Sequence, residues 1–110
     1  MRIPIAEILI PRNKLTQYLL ILRLEDDKSK FLAQAGFTLK NPDALEQAIR
    51  QLIQDNDAVQ EQANEFGEYY RVTGELIGVN GRILDVVTIW IIKTNKQGKF
   101  SFVTLIPLKE

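Results

Sequence analysis

The chain has 110 residues and contains neither histidine nor cysteine. Histidine is the one side chain whose unperturbed pKa lies near neutrality, and it is the commonest metal ligand. Its absence removes the usual proton shuttle. The absence of cysteine removes the thiolate nucleophile, the disulfide and the thiolate metal site. Chemistry is left to carboxylates, Lys, Arg, Tyr, Ser and Thr, and no cofactor or metal is expected. An excess of either charge is also missing: fourteen Lys and Arg balance fourteen Asp and Glu. No general attraction to nucleic acid or to an anionic membrane follows. The longest apolar run, around Val86 to Ile92, is too short to span a bilayer. Met1-Arg2-Ile3-Pro4 has no apolar core or cleavage site of signal-peptide type. A cytoplasmic protein without a membrane partner is expected. There is no phosphate-binding glycine loop, zinc pattern or nucleophile elbow.

What is present is globular: 45% apolar and 25% charged residues, enough for one domain over 1–110. Residues 1–56 read mainly as helix and 57–110 mainly as strand, which predicts an α+β domain. About three helices should pack on one face of a three- or four-stranded antiparallel meander. Ile3 to Ile10 reads as an edge strand or arm ended by Pro11. Asn13 is placed to cap a helix from Lys14, with Leu15, Leu19 and Leu22 at helical spacing and Leu20, Ile21 and Leu24 widening its apolar surface. Ser29 to Ala35 predicts a second helix stopped by Gly36. Asn41-Pro42-Asp43 is the clearest helix start, followed by the stripe Leu45, Ala48, Ile49, Leu52 and Ile53 and an end near Asp55. Strands are predicted over Ala58–Asn64, Tyr69–Ile77, Ile83–Lys93 and Phe100–Ile106.

Asn80-Gly81 is a strong hairpin signal, because both central residues of a type I′ turn need positive φ. A two-residue turn pairs Val79 with Arg82 and fixes the register. One face then carries Tyr70, Val72, Gly74 and Leu76 opposite Ile91, Ile89, Val87 and Asp85, and takes the helices. The other face carries Tyr69, Arg71, Thr73 and Glu75 opposite Ile92, Trp90, Thr88 and Val86. It offers a guanidinium beside an indole, two hydroxyls and a carboxylate. Trp90, Val86 and Ile92 would leave an apolar strip there, and such strips have partners. Binding residues expected on or beside this face are Tyr69, Thr73, Arg82, Thr88, Trp90 and Lys93. If the face is catalytic, Glu75 is the base and Arg71 the anion clamp, with Lys93, Tyr69 or water as proton donor.

Other charge groupings read as solvated surface. Glu25-Asp26-Asp27 could hold a hard cation, but stands where a helix junction is expected. Lys14, Lys28 and Lys30 with Arg12 could form a basic edge. Lys96 and Lys99 flank the last hairpin tip.

Ile10-Pro11, Lys14-Leu15-Thr16, Tyr18-Leu19-Leu20, Lys30-Phe31-Leu32 and Gly36-Phe37-Thr38 resemble the opening of a group of small bacterial domains of unknown function. Tyr70-Arg71-Val72-Thr73-Gly74-Glu75-Leu76, Asn80-Gly81-Arg82, Val87-Thr88-Ile89-Trp90-Ile91-Ile92 and Val103-Thr104-Leu105-Ile106-Pro107 resemble its second half. More remotely, helices followed by an antiparallel meander resemble the barnase-like ribonuclease and toxin superfamily. That resemblance implies a carboxylate or basic residues on the exposed sheet face. Here the carboxylate and arginine are present and the histidine acid of several members is not. Two functions are therefore expected. The first is a non-catalytic interaction domain, homodimeric or paired with a small protein. The alternative is a ribonuclease-like toxin domain that cleaves RNA without metal through Glu75 and Arg71, aided by Arg82 or Lys93.

Overall fold

The computed structural model describes residues 1–20, 28–94 and 98–108. Its elements follow the expected order, a short extended arm, then helices, then four strands. A 3-10 turn over Ile5–Glu7 leads into β1, Ile8–Leu9. Helix α1, Arg12–Lys14, runs directly into a π-helical turn, Leu15–Leu19. Then come α2, Ser29–Ala33, and α3, Pro42–Asp55. The strands are β2, Ala58–Asn64; β3, Gly67–Ile77; β4, Ile83–Lys93; and β5, Phe100–Pro107. The α+β class holds. The sheet is larger than a meander of three or four strands and is mixed: its order is β1-β5-β4-β3-β2, with β1 parallel to β5. The Ile3–Ile10 arm thus contributes only its last part as strand, and Pro11 directs the chain into α1. Asn13 lies inside that helix rather than capping it. The expected continuation through Ile21 and Leu24, and the acids Glu25, Asp26 and Asp27, lie outside the described residues, as does Lys96.

Local chemistry explains where the helices stop and start. After α2, the Phe37 N–H reaches the Leu32 carbonyl at 3.2 Å and the Gly36 N–H reaches Ala33 at 3.0 Å. This is a Schellman closure, and it needs the positive φ of +88° that Gly36 supplies. Pro42 occupies the first position of α3, where its missing N–H costs nothing. The Asn41 side chain makes no cap bond. It braces the approach instead, accepting from the Thr38 N–H at 2.8 Å and donating to the Gly36 carbonyl at 3.0 Å. Leu45, Ile49, Leu52 and Ile53 of α3 are buried as the stripe predicts. At its end Asn56 lies over Gly74 of β3, where a Cβ would come within 2.4 Å of the Asn56 amide nitrogen.

The β3–β4 hairpin differs from the expected one by a single residue. Gly81 does have positive φ, +85°. The turn, however, is closed by the Gly81 N–H on the Gly78 carbonyl at 3.1 Å and the Gly78 N–H on the Arg82 carbonyl at 2.7 Å. Gly78 therefore faces Arg82 across a three-residue loop, the arrangement that places glycine at the left-handed third position. Ile77 pairs with Ile83, Leu76 with Leu84, Val72 with Thr88 and Tyr70 with Trp90. A one-residue slip sends every β4 side chain to the opposite face. Hence Trp90, Thr88 and Val86, expected on the open face, are fully buried in the core with Tyr70, Val72 and Leu76. Ile92 packs against that core as well. The expected exposed strip of Trp90, Val86 and Ile92 is thus the inside of the sheet, covered by the chain's own helices.

The core accommodates the polar atoms this brings in. Trp90 Nε1 donates to Thr88 Oγ1 at 2.8 Å, and Thr88 Oγ1 donates to the Val72 carbonyl at 3.0 Å. Trp90 meets Phe102 edge to face at 5.3 Å, and Tyr70 meets Phe100 at 5.2 Å. Gly78 packs against Ala35, and the Val79 N–H donates to the Ala35 carbonyl at 2.8 Å. The hairpin tip is in this way clamped to the end of α2.

Candidate functional site

The helices cover one side of the sheet and leave the other largely open. On that open face the cross-strand rows run Tyr69–Ile91–Ser101, Arg71–Ile89–Thr104 and Thr73–Val87–Ile106, with Glu75 opposite Asp85. Arg71, Thr73, Glu75, Asp85 and Ile106 are exposed, and Tyr69, Val87, Ile89 and Thr104 are half-buried. The β2 edge adds exposed Val59 beside Arg71. The face is therefore a strip of aliphatic side chains crossed by charge. Arg71 lies toward one end of β3, and the directly opposed carboxylates Glu75 and Asp85 lie toward the other. Like charges facing each other across strands are unfavourable.

The candidate site residues divide accordingly. Tyr69, Arg71, Thr73 and Glu75 share the open face, as expected. Thr88 and Trp90 leave it for the core. Arg82 sits at the hairpin tip, where its N–H donates to Asn80 Oδ1 at 3.0 Å. Tyr69 and Lys93 come together in a recess of about 410 Å³ with Glu65, Phe66, Ile91 and Thr94. Glu75 lines a different groove of about 400 Å³, against Ala44, Ala48 and Gln51 of α3. Glu75 and Arg71 are four residues apart on one strand, about 13 Å at ~3.4 Å per residue. The Arg71 guanidinium pairs with Glu61, Nε to Oε1 at 3.3 Å, both side chains being over 40% exposed. An exposed pair of this kind is worth at most about 1 kcal/mol, so Arg71 is held weakly and can exchange partners. Among the described residues no three Asp, Glu, His or Cys side chains converge as a metal site.

A second cluster borders the face where α1 and its π-helical turn run beside β5. Tyr18 Oη and Thr104 Oγ1 lie 2.9 Å apart, and Lys28 Nζ donates to each at 2.8 Å. Lys28 Nζ and Lys14 Nζ stand 5.0 and 5.7 Å from the Tyr18 ring centroid. Burial works to raise the Tyr18 phenol. The hydrogen bonds from Lys28 and Thr104 and the charges of Lys28 and Lys14 outweigh it, leaving the phenol below its usual range. The cluster joins residues far apart in sequence, so periodicity could not reveal it. Lys14 and Lys28 appeared only as members of a solvated basic edge, and their companions separate in the structure: Arg12 pairs with Asp43 at 2.6 Å. Lys99 pairs with Glu7 at 3.4 Å.

The chain belongs to the family described as Domain of unknown function (DUF6883), which matches residues 3–109. No curated protein matches it. Among solved structures, it resembles a chain of a contact-dependent growth inhibition toxin–immunity protein complex from Klebsiella pneumoniae 342. The TM-score is 0.70 at 17% identity, over 90% of this chain and 98% of that one. At this identity the likeness establishes a shared fold. Among the described residues no helix is long and apolar enough to cross a membrane.

Proposed function

We propose that this chain is a partner-binding domain of the toxin–immunity kind, which docks a small protein on the open face of its sheet. The observation that carries the reading is the face itself. Its core-facing side is complete, yet on the open side half-buried Val87 and Ile89 and exposed Ile106 form an apolar strip flanked by Arg71 and by the opposed pair Glu75 and Asp85. A partner with an apolar centre, an acid toward Arg71 and a base toward Glu75 and Asp85 complements it. Such a base would relieve the repulsion between the two carboxylates. The structural likeness to a chain solved in a two-protein complex favours a different protein over a second copy as that partner.

The test is co-expression with the product of the adjacent reading frame, followed by sedimentation and calorimetry. A one-to-one complex abolished by Ile89→Asp, with the variant still folded, is the expected result. A complex indifferent to Ile89→Asp, or a homodimer of this chain alone that is lost with it, refutes the reading.

The second reading is an RNA-cleaving toxin domain. The placement of Glu75 and Arg71 on one open face, together with the toxin–immunity likeness, favours it. Glu75 would act as base and Arg71, its long side chain and the curvature of the sheet closing the distance of about 13 Å along the strand, would hold the phosphorane charge through its planar donor fork. Metal-free cleavage of RNA, lost in Glu75→Gln and weakened in Arg71→Lys, supports it. Cleavage unaffected by both discards the pair.

A further inference from the structure

We propose that Lys28, Lys14, Tyr18 and Thr104 form a phosphate-binding site at the β5 border of the open face. The reading is independent of protein docking. It begins with hydrogen-bond accounting. An ammonium carries three donors. Lys28 spends two on the hydroxyl oxygens of Tyr18 and Thr104, each at 2.8 Å, and among the described residues the third has no acceptor. Lys14 forms no hydrogen bond or ion pair among the described residues, although its ammonium stands 5.7 Å from the same ring. No carboxylate of a described residue pairs with either lysine. Two cations thus converge on one phenol, and among the described residues no anion is paired with either of them.

The number and charge of the remaining donors select the ligand. Lys28 Nζ, Tyr18 Oη and Thr104 Oγ1 hold one another in a triangle with sides of 2.8, 2.8 and 2.9 Å. The bonds inside the triangle leave the third Lys28 N–H and one hydroxyl proton, and the Lys14 ammonium beside the same ring adds three more donors and a second positive charge, a set that suits the several oxygens and the double charge of a phosphoryl dianion. Lysine serves phosphate as a point charge, without the planar fork that carboxylate pairing rewards. Thr104 also lies in the same cross-strand row as Arg71, with Ile89 between them. Strands are about 4.8 Å apart, so a phosphodiester chain laid along that row would meet Lys28 at one end and Arg71 at the other. The site therefore accepts a phosphoryl group either free or in a nucleic-acid strand.

The phenol provides the readout. The two lysines favour its ionised form, and a bound dianion opposes that ionisation. Tyrosine ionisation is followed in the ultraviolet, and the Tyr18 phase is identified by its loss in Tyr18→Phe. Inorganic phosphate and a short single-stranded oligoribonucleotide form separate arms, each against potassium chloride at equal ionic strength. The expected result is a saturable upward shift of the Tyr18 midpoint. It should be lost in Lys28→Met, kept in Lys28→Arg, and require about tenfold more ligand in Thr104→Val, about 1.4 kcal/mol. A shift with phosphate supports a site for free phosphoryl groups. A shift with the oligonucleotide alone supports the same site serving a nucleic-acid backbone. No shift with either ligand, a shift matched by potassium chloride, or one that survives Lys28→Met in a folded variant overturns the proposal.

Discussion

Thr88→Val removes one oxygen and keeps the shape of the side chain, and its cost separates the two possible registers of β4. In the structure Thr88 is fully buried. Its hydroxyl accepts the Trp90 indole N–H at 2.8 Å and donates to the Val72 carbonyl at 3.0 Å. Valine leaves the indole N–H buried without an acceptor, which costs about 1–3 kcal/mol. In the register of a two-residue turn, Thr88 and Trp90 would face solvent, and the change would fall within about ±0.5 kcal/mol. Urea unfolding followed by far-UV circular dichroism measures the difference. A double-mutant cycle with Trp90→Phe isolates the bond from the cavity that loss of the indole creates. Once the N–H is gone, Thr88→Val costs less, so the two changes should couple by about 1 kcal/mol or more. Trp90 emission should be blue-shifted in the native protein. Parental stability in Thr88→Val, zero coupling and solvent-quenched Trp90 emission would together refute the buried network and the register that produces it.

Two glycines of the hairpin should fail for different reasons. Gly81→Val meets no atom within 4 Å but forces a φ of +85° on a branched side chain, costing about 1–2 kcal/mol. Gly78→Ala places a Cβ 2.4 Å from Ala35, and an overpacking cost of about 1–3 kcal/mol should appear as a lower urea midpoint. Gly81→Asn, which tolerates positive φ, should retain more stability than Gly81→Val. Tyrosine titration should resolve Tyr18 and Tyr70 on opposite sides of the usual phenol range, because burial and then Glu68 raise Tyr70 while the lysine cluster lowers Tyr18. The stability linked to Tyr18 is present above the unfolded phenol value, about 10, and is lost as pH falls through the lowered folded value. That linked to Tyr70 is present below the unfolded value and is lost as pH rises through the raised one. Tyr18→Phe and Tyr70→Phe should each remove the corresponding phase, and unchanged titration curves would contradict the placement of these rings.

The elements whose signals are local were legible. Asn41-Pro42-Asp43 and the stripe that follows define α3 because proline, acid and apolar spacing act within one helix. The strands β2 and β4 were legible to their ends because turn residues bound alternating runs. Register was not, because Asn80-Gly81 serves either a two-residue turn or the last positions of a three-residue loop. Asp85 held the discriminating signal. The two-residue turn sets it against Leu76 on the core face, an unpaired carboxylate in an apolar layer. Sliding β4 by one residue sends Asp85 outward and Leu84 inward, the observed arrangement. The parallel pairing of β1 with β5 and the joining of Tyr18 to Thr104 depend on residues brought together only by the whole fold. Neither leaves a periodic trace.

That single slip also changes what the molecule can present to a partner. With Trp90 outside, the face would offer an indole anchor, the residue type that most often dominates binding energy. With Trp90 inside, the indole instead ties β4 to Phe102 and the core, and the uncharged part of the face is mostly aliphatic, with half-buried Tyr69 at its edge. Aliphatic area excludes water but discriminates poorly among partners. Recognition then falls to the charged ends, Arg71 and Lys28 on one side and Glu75 and Asp85 on the other. Electrostatic complementarity acts on encounter rate and partner choice more than on affinity, and exposed charges are screened over roughly 8 Å at physiological salt. Association through this face should therefore slow as salt rises while dissociation changes little. Reversing Glu75 and Asp85 to lysine should slow association further, and restoring the rate should require opposite changes on the partner.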